Sequence, residues 1–290
     1  MATFFNQASL TYGNIVTNSN ITEGELLEVI SASKTALIST YSQGEPVAYA
    51  INITNTGVTP LTDITVADNL GAYVFTGTDG IAVTLYPLTY VDGSARLYIN
   101  GVLQTTPPSV VAGPPLSFSG ITIPQGANAM LIYEAVTNEY APNALGGTIT
   151  NTAVVDGAGI AEPITLTATI AARNTVNLTI AKALCPATVT DNGQLTYTFI
   201  IQNTGNEAIL ATDNVIVTDT FNPILNPIAV TFNGAALAEG TDYTYDETTG
   251  EFATLPGHIT VPATTYVQNP VTGAYSMTPG VAIITVTGTV

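Results

Sequence analysis

Basic residues are nearly missing from this chain: Lys and Arg together number 4, against 21 Asp and Glu in 290 residues. A formal net charge of −17 at pH 7 excludes nucleic-acid binding through phosphates, which needs clustered Lys and Arg. It equally excludes a polybasic hold on an acidic membrane. His and Cys occur once each, which leaves no residues for His-based catalysis, a zinc site or an intrachain disulfide. No run of about 18 apolar residues occurs, so no membrane insertion is expected. The opening MATFFNQASLTYGN has neither the basic region nor the apolar run of a secretory signal. Charged residues make up only 9% and hydrophobic ones 46%, unlike a disordered acidic chain. These absences point away from an enzyme, and from any metal or cofactor, toward a structural or assembly role.

Thr, Val, Ile and Tyr dominate what is present, broken at short intervals by Gly, Pro, Asn and Asp. Helical periodicity is nearly absent, and the pattern predicts many short strands packed as β-sandwiches. An internal repeat sets the organisation. Residues 26–57 align with 175–205, with Lys34 and Asn55 separated by 21 residues, as are Lys182 and Asn203. LTDITVADNLG (61–71) matches ATDNVIVTDTFN (211–222) and places Asp68 opposite Asp219. IPQGANAMLIYEAVTN (123–138) matches TPGVAIITVTGTV (278–290).

The Lys-to-NTG spacing, the VxDxL-type strand and ITNTAVV resemble the conserved-repeat domain of bacterial surface proteins, also called domain of unknown function eleven. The resemblance covers nearly the whole chain. It implies an immunoglobulin-like fold of the kind strung along bacterial surfaces, and it carries no activity.

The repeat is out of frame. The first copy runs on into GGTITNTAVVDGAG (146–159), and the second reaches Val290 without such a strand. FFNQASLTYGN (4–14) aligns instead with ITNTAVVDGAG (149–159), matching Asn6 to Asn151 and Ala8 to Ala153. The expected organisation is an N-terminal donor strand and spacer (1–22), a complete sandwich (23–160), a linker (161–176) and a second sandwich (177–290) lacking its last strand. A neighbour's N-terminal strand would complete that second sandwich. Phe4, Asn6, Ala8, Leu10 and Tyr12 alternate onto one face, as a half-buried donor strand requires. A donor at one end and an acceptor at the other form a heterologous contact that extends into a filament. An undocked tail and insertion within the same chain are the competing readings.

Three polar residue types fall on otherwise apolar strand faces. Lys34 lies with Ile30, Ala32 and Ala36, Asp68 with Ile64, Val66 and Leu70, and Asn151 with Ile149, Ala153 and Val155. Lys182 and Asp219 occupy the matching places in the second repeat, and Asn6 is the residue aligned with Asn151. Buried charges must meet partners. The trio resembles the intramolecular isopeptide site of Gram-positive pilins and adhesins, in which a first-strand Lys joins a last-strand Asn beside an acid. That resemblance implies a Lys34–Asn151 bond assisted by Asp68 within the first sandwich. It also implies a Lys182–Asn6 bond assisted by Asp219 between subunits. A buried Lys–Asp salt bridge hydrogen-bonded to Asn uses the same residues without chemistry. Cys185, beside Pro186, is expected as a half-buried filler.

The functional expectation is a fibre subunit that partners with itself head to tail, extracellular, on a cell or spore surface. A monomeric surface adhesin or other binding module is the alternative.

Overall fold

The structure is a computed structural model and describes residues 2–26 and 29–290. The described residues are all-β, with one 3-10 turn at Ala211–Asp213 and no α-helix. The chain opens with β1 (Ala2–Asn6), β2 (Ser9–Tyr12), β3 (Ile15–Asn18) and β4 (Thr22–Leu26). β1 pairs antiparallel with β4 and β2 with β3, so residues 2–26 fold back as one hairpin. Gly13 and Asn14 turn the tip between the paired Tyr12 and Ile15. Gly13 there takes φ +55°, a conformation that suits glycine. The spacer expected after the donor strand is therefore itself strand.

The first core contains β5 (Ile30–Ala36), β6 (Thr40–Tyr41), β7 (Pro46–Asn55), β8 (Leu61–Asp68), β9 (Tyr73–Thr76), β10 (Ala82–Leu85) and β11 (Leu88–Tyr90). It continues with β12 (Arg96–Ile99), β13 (Val102–Leu103), β14 (Ser109–Val111), β15 (Leu116–Ile123), β16 (Asn128–Thr137), β17 (Thr148–Ala158) and β18 (Ile164–Ala172). One sheet runs β13-β12-β16-β7-β5, with β11 also on β16, and the other runs β14-β15-β8-β17-β18-β6. Alternation decides which residues fill the space between them. β17 buries Ile149, Asn151, Ala153 and Val155 and turns Thr150 and Asp156 outward. Residues 161–176, expected as a linker, contain β18. It pairs with β17 from Ile164 to Ala171 and buries Leu166, Ala168 and Ile170.

The second core contains β19 (Leu178–Cys185), β20 (Gln194–Asn203), β21 (Thr218–Thr220), β22 (Ile228–Phe232), β23 (Ala235–Ala236), β24 (Tyr243–Tyr245) and β25 (Glu251–Thr254). β26 (Thr265–Gln268), β27 (Tyr275–Thr278) and β28 (Gly280–Thr289) follow. Its sheets run β19-β20-β28-β22-β23 and β21-β25-β24. The repeat is kept in register: Lys34 pairs across to Ile51 and Lys182 to Phe199. The Asn of each NTG closes the same turn. Asn55 Nδ2 donates to the carbonyls of Thr59 and Ile123 while its Oδ1 accepts from Gly57 N–H. Asn203 does likewise with Glu207, Pro262 and Gly205. A Cβ on Gly205 would lie 2.1 Å from the Thr175 carbonyl oxygen, which explains the glycine.

Two small hairpins join the halves. β9–β10 belongs to the first and β26–β27 to the second. They meet where Thr78 N–H donates to the Pro270 carbonyl (2.9 Å) and Gln268 Nε2 to the Tyr73 hydroxyl (3.1 Å), and beside them Tyr275 N–H donates to the carbonyl of Glu139, after β16 (2.8 Å).

Candidate functional site

In the first half, Lys34, Asp68 and Asn151 lie buried between the sheets. β5 supplies Lys34 from one sheet, and neighbouring β8 and β17 supply Asp68 and Asn151 from the other. Ala153 pairs with Asp68 across those two strands, so Asn151 sits one inward position further along. Lys34 Nζ lies 2.5 Å from Asp68 Oδ2, with both side chains fully buried. The Tyr133 hydroxyl donates to the same carboxylate oxygen, and Leu70 N–H donates to Oδ1 at 2.8 Å. Asn151 Nδ2 donates to the Tyr133 hydroxyl at 3.4 Å, and Asn151 Oδ1 accepts from Gly71 N–H at 3.2 Å. Tyr133 thus bridges the acid and the amide.

Aromatic rings line this pocket. Lys34 Nζ stands 5.0 Å from the centroid of the Tyr49 ring, which stacks on Tyr133 at 5.6 Å. Burial pulls the Lys34 ammonium below its ordinary range, opposed by the charge and hydrogen bond of Asp68. Burial, reinforced by the Asp68 charge, pushes the Tyr133 hydroxyl well above its ordinary value. The result is a buried pocket that holds an amine, an acid and a carboxamide whose oxygen is already polarised by a backbone N–H.

The second half repeats the pair without its enclosure. Lys182 Nζ contacts Asp219 Oδ2, but 38% of the Lys182 side chain is exposed. Tyr197, at the repeat position of Tyr49, takes the ammonium over its ring at 4.3 Å and stacks on Phe221 at 5.0 Å. Tyr133 has no counterpart, because Val286 pairs with Tyr197 where Tyr133 pairs with Tyr49.

Strand arrangement accounts for the exposure. β8 is paired on both edges, by β15 and β17. Its counterpart β21 is paired by β25, and among the described residues no strand lies on its other edge. β19 is exposed along its length, including Leu178, Ile180 and Leu184 on the face that carries Lys182. A groove of about 180 Å³ runs between it and the segment before β21, lined by Leu178, Ile180, Ile201, Val215 and Val217. Cys185 is exposed on the outer face of β19, and not half-buried as expected.

The remaining expected residues lie on the N-terminal hairpin. Phe4, Asn6, Ala8, Leu10 and Tyr12 are all exposed, with Phe4 57%, Leu10 67% and Tyr12 83% accessible. The half-burial expected of this strand is therefore not found within one chain. The Asn6 carbonyl accepts from Thr22 Oγ1 at 3.2 Å. Among the described residues no hydrogen bond joins Asn6 to Lys182 or Asp219.

Sequence reasoning overlooked Tyr133, Tyr49 and Gly71. The two tyrosines were legible as inward positions of alternating strands facing the Lys strand. Gly71, at φ +73° with no room for a Cβ beside Ile149, carried no signal that set it apart from other turn glycines.

No family model matches the chain, and no curated protein matches it in sequence. Solved structures resemble it at low identity. The major pilin subunit BcpA of Bacillus cereus is 12% identical, with 97% of this chain and 73% of that one covered and a TM-score of 0.34. The collagen-binding subdomain of the Enterococcus faecalis surface protein ACE is 11% identical over 51% of this chain and 99% of that one, at 0.30. A family 123 glycoside hydrolase from Clostridium perfringens is 12% identical over 50% of this chain, at 0.31, and the chain spans only 28% of its length. At these scores they are likenesses of strand arrangement, and no functional argument rests on them.

Proposed function

We propose that this protein is a structural subunit of an extracellular fibre on a cell or spore surface. It polymerises head to tail when the N-terminal segment of one copy enters the open groove of the next copy's second domain. One contrast carries this reading: the first domain has β17 on the β8 edge and a buried Lys–Asp pair, whereas the second has a bare β21 edge and an exposed one. The segment aligned with β17 stands exposed at the other end of the same chain. Apolar side chains on both surfaces favour the union by about 1.5–3 kcal/mol each when fully buried, before the entropy of association. Because donor and acceptor are different surfaces, the contact propagates and does not close into a dimer.

The polar clusters suit a covalent lock. A neutral Lys34 amine attacks Asn151 Cγ, a new C–N bond forms, the bond to the amide nitrogen breaks, and ammonia leaves with the proton relayed through Asp68. Burial favours the neutral amine, and folding gathers amine, acid and amide into one buried cluster. In the second domain, Lys182 and Asp219 would act on Asn6 of the neighbour, linking the chains.

Electron microscopy of the full chain tests assembly: it should show fibres, and a chain lacking residues 2–26 should give monomers. Fibres from the truncated chain, or a monomeric full chain, would rule the reading out and leave the binding-module alternative. Boiling in SDS tests the lock. Wild-type fibres should run as a ladder, and Asn6→Ala fibres should dissolve to monomer. A single monomer band from wild type would show that packing alone holds the junction.

A further inference from the structure

We propose that the element a neighbour receives is the whole two-stranded hairpin of residues 2–26, inserted intact, and not a single strand. This rests on the head-to-tail reading above and specifies what is exchanged.

The first domain shows what a complete cover comprises. β17 pairs with the β8 edge, and β18 lies outside β17 and packs on β5, the strand that carries Lys34. Leu166, Ala168 and Ile170 of β18 belong to the core against which Ile30, Ala32 and Ala36 of β5 pack. Among the described residues the second domain has neither strand, with two separate consequences. The β21 edge is unpaired, and the inward side chains of β19 are open, Ile180 at 57% and Leu184 at 43%. A single strand on β21 would mend only the first. Closing β19 takes a second strand, as β18 closes β5.

The N-terminal hairpin supplies both strands in a matching register. Asn151 pairs with Ala168 and Ile149 with Ile170. At the aligned positions Asn6 pairs with Thr22 and Phe4 with Gly24. Side-chain size is redistributed as close packing demands. Ala32 and Ala36 on β5 face a cover that contributes Ala168 and Ile170. Ile180 and Leu184 on β19 would meet a cover with Thr22 and Gly24 in those places. The larger acceptor residues are matched by smaller donor ones. The Phe4 ring already rests on Gly24, where a Cβ would sit 2.4 Å from Phe4 Cζ. The hairpin is thus preorganised with Phe4 presented on its inward face, and peeling β1 from β4 would discard that arrangement. Phe5 and its partner Glu23 lie on the opposite face, where the acid suits solvent.

The test locks the hairpin shut. Phe5→Cys with Glu23→Cys, in a Cys185→Ser full chain, places two thiols at paired positions on the outward face, so oxidation ties β1 to β4. Intact insertion predicts fibres at comparable rate and yield whether the disulfide is formed or reduced. Fibres from the reduced chain with none from the oxidised chain would overturn it, because the strand must then leave its partner to enter. Should the Cys pair block assembly in both states, Gly24→Val in the otherwise native chain decides. Hairpin insertion predicts assembly slowed at least tenfold, and an unchanged rate overturns the proposal. If the Cys185→Ser chain itself never forms fibres, the head-to-tail reading falls and takes this inference with it.

Discussion

The two halves of this molecule carry the same Lys–Asp pair on the same strands in the same register, yet one pair is buried and the other is not. Lys34 and Asp68 are fully enclosed, while Lys182 keeps 38% of its side chain exposed and Asp219 19%. The strands bearing the charges do not cause the difference, since β5 and β19 pair with β7 and β20 alike. The cause is the pair β17 and β18, which covers the first site; residues 4–14 align with β17 alone. Burial of the polar cluster is thus conferred by strands other than those that carry the charges.

The largest effect expected from breaking this symmetry comes from the acids. Asp68→Ala would leave the Lys34 ammonium buried without a partner, which costs about 3–5 kcal/mol. Asp219→Ala, in a chain lacking residues 2–26, removes a solvent-screened pair and should cost no more than about 1 kcal/mol. Urea unfolding followed by tyrosine fluorescence should show the first domain's transition moving strongly in one variant and the second domain's scarcely in the other. Equal shifts would mean that cover and burial are not what distinguishes the sites.

A smaller, pH-dependent difference separates an ion pair from an amide at Lys34. Burial lowers the pKa of the free amine in the folded domain below the unfolded 10.5. Between the folded value and 10.5 the unfolded chain alone binds the proton, so stability must rise with pH across that window. Burial raises the pKa of Tyr49 and Tyr133, which reverses the slope above about pH 10, where unfolded tyrosines ionise. Asn151→Ala keeps the amine free and should show the rise. If the amide forms, wild type has no titrating group there, and its first domain should show no such rise. The same slope in both chains would mean that Lys34 is unlinked.

How far the sequence reveals this is uneven, for physical reasons. All-β architecture and the repeat register were legible because alternation and the Lys-to-NTG spacing report local geometry. β18 was overlooked although ITLTATIAA alternates apolar residues with Thr as a strand does, because the repeat alignment ends before it. β3 and β4 escaped for a different reason. TEGEL has no apolar alternation to detect, and Thr22 and Glu23 are exposed. Cys185 is exposed because alternation puts it on the outer face of β19, away from the face that carries Lys182.

The last asymmetry lies at the joint between the halves, and it has the smallest expected effect. The first domain extends β9–β10 toward the second, and the second extends β26–β27 back. The corresponding stretches, 124–127 in the first domain and 221–227 in the second, are short. Gly273, at φ +75°, sits where the hairpins touch: a Cβ there would lie 2.3 Å from Leu85 Cδ1 and 3.0 Å from Phe75 Cδ1. Gly273→Ala strains its own turn whether docked or free, but the clash with Leu85 and Phe75 exists only when docked. About 1 kcal/mol lost from docking would open the joint roughly fivefold more often. The chain carries its own reporter of that opening, because basic residues are so few. Arg173 follows β18 directly, its guanidinium 2.9 Å from a Glu45 carboxylate oxygen and its N–H donating to the Tyr41 carbonyl. Trypsin should therefore cut after Arg173 several times faster in Gly273→Ala than in wild type, while the urea midpoints of both domains stay put. A cleavage rate that does not change would mean that the touching hairpins do not hold the two domains together.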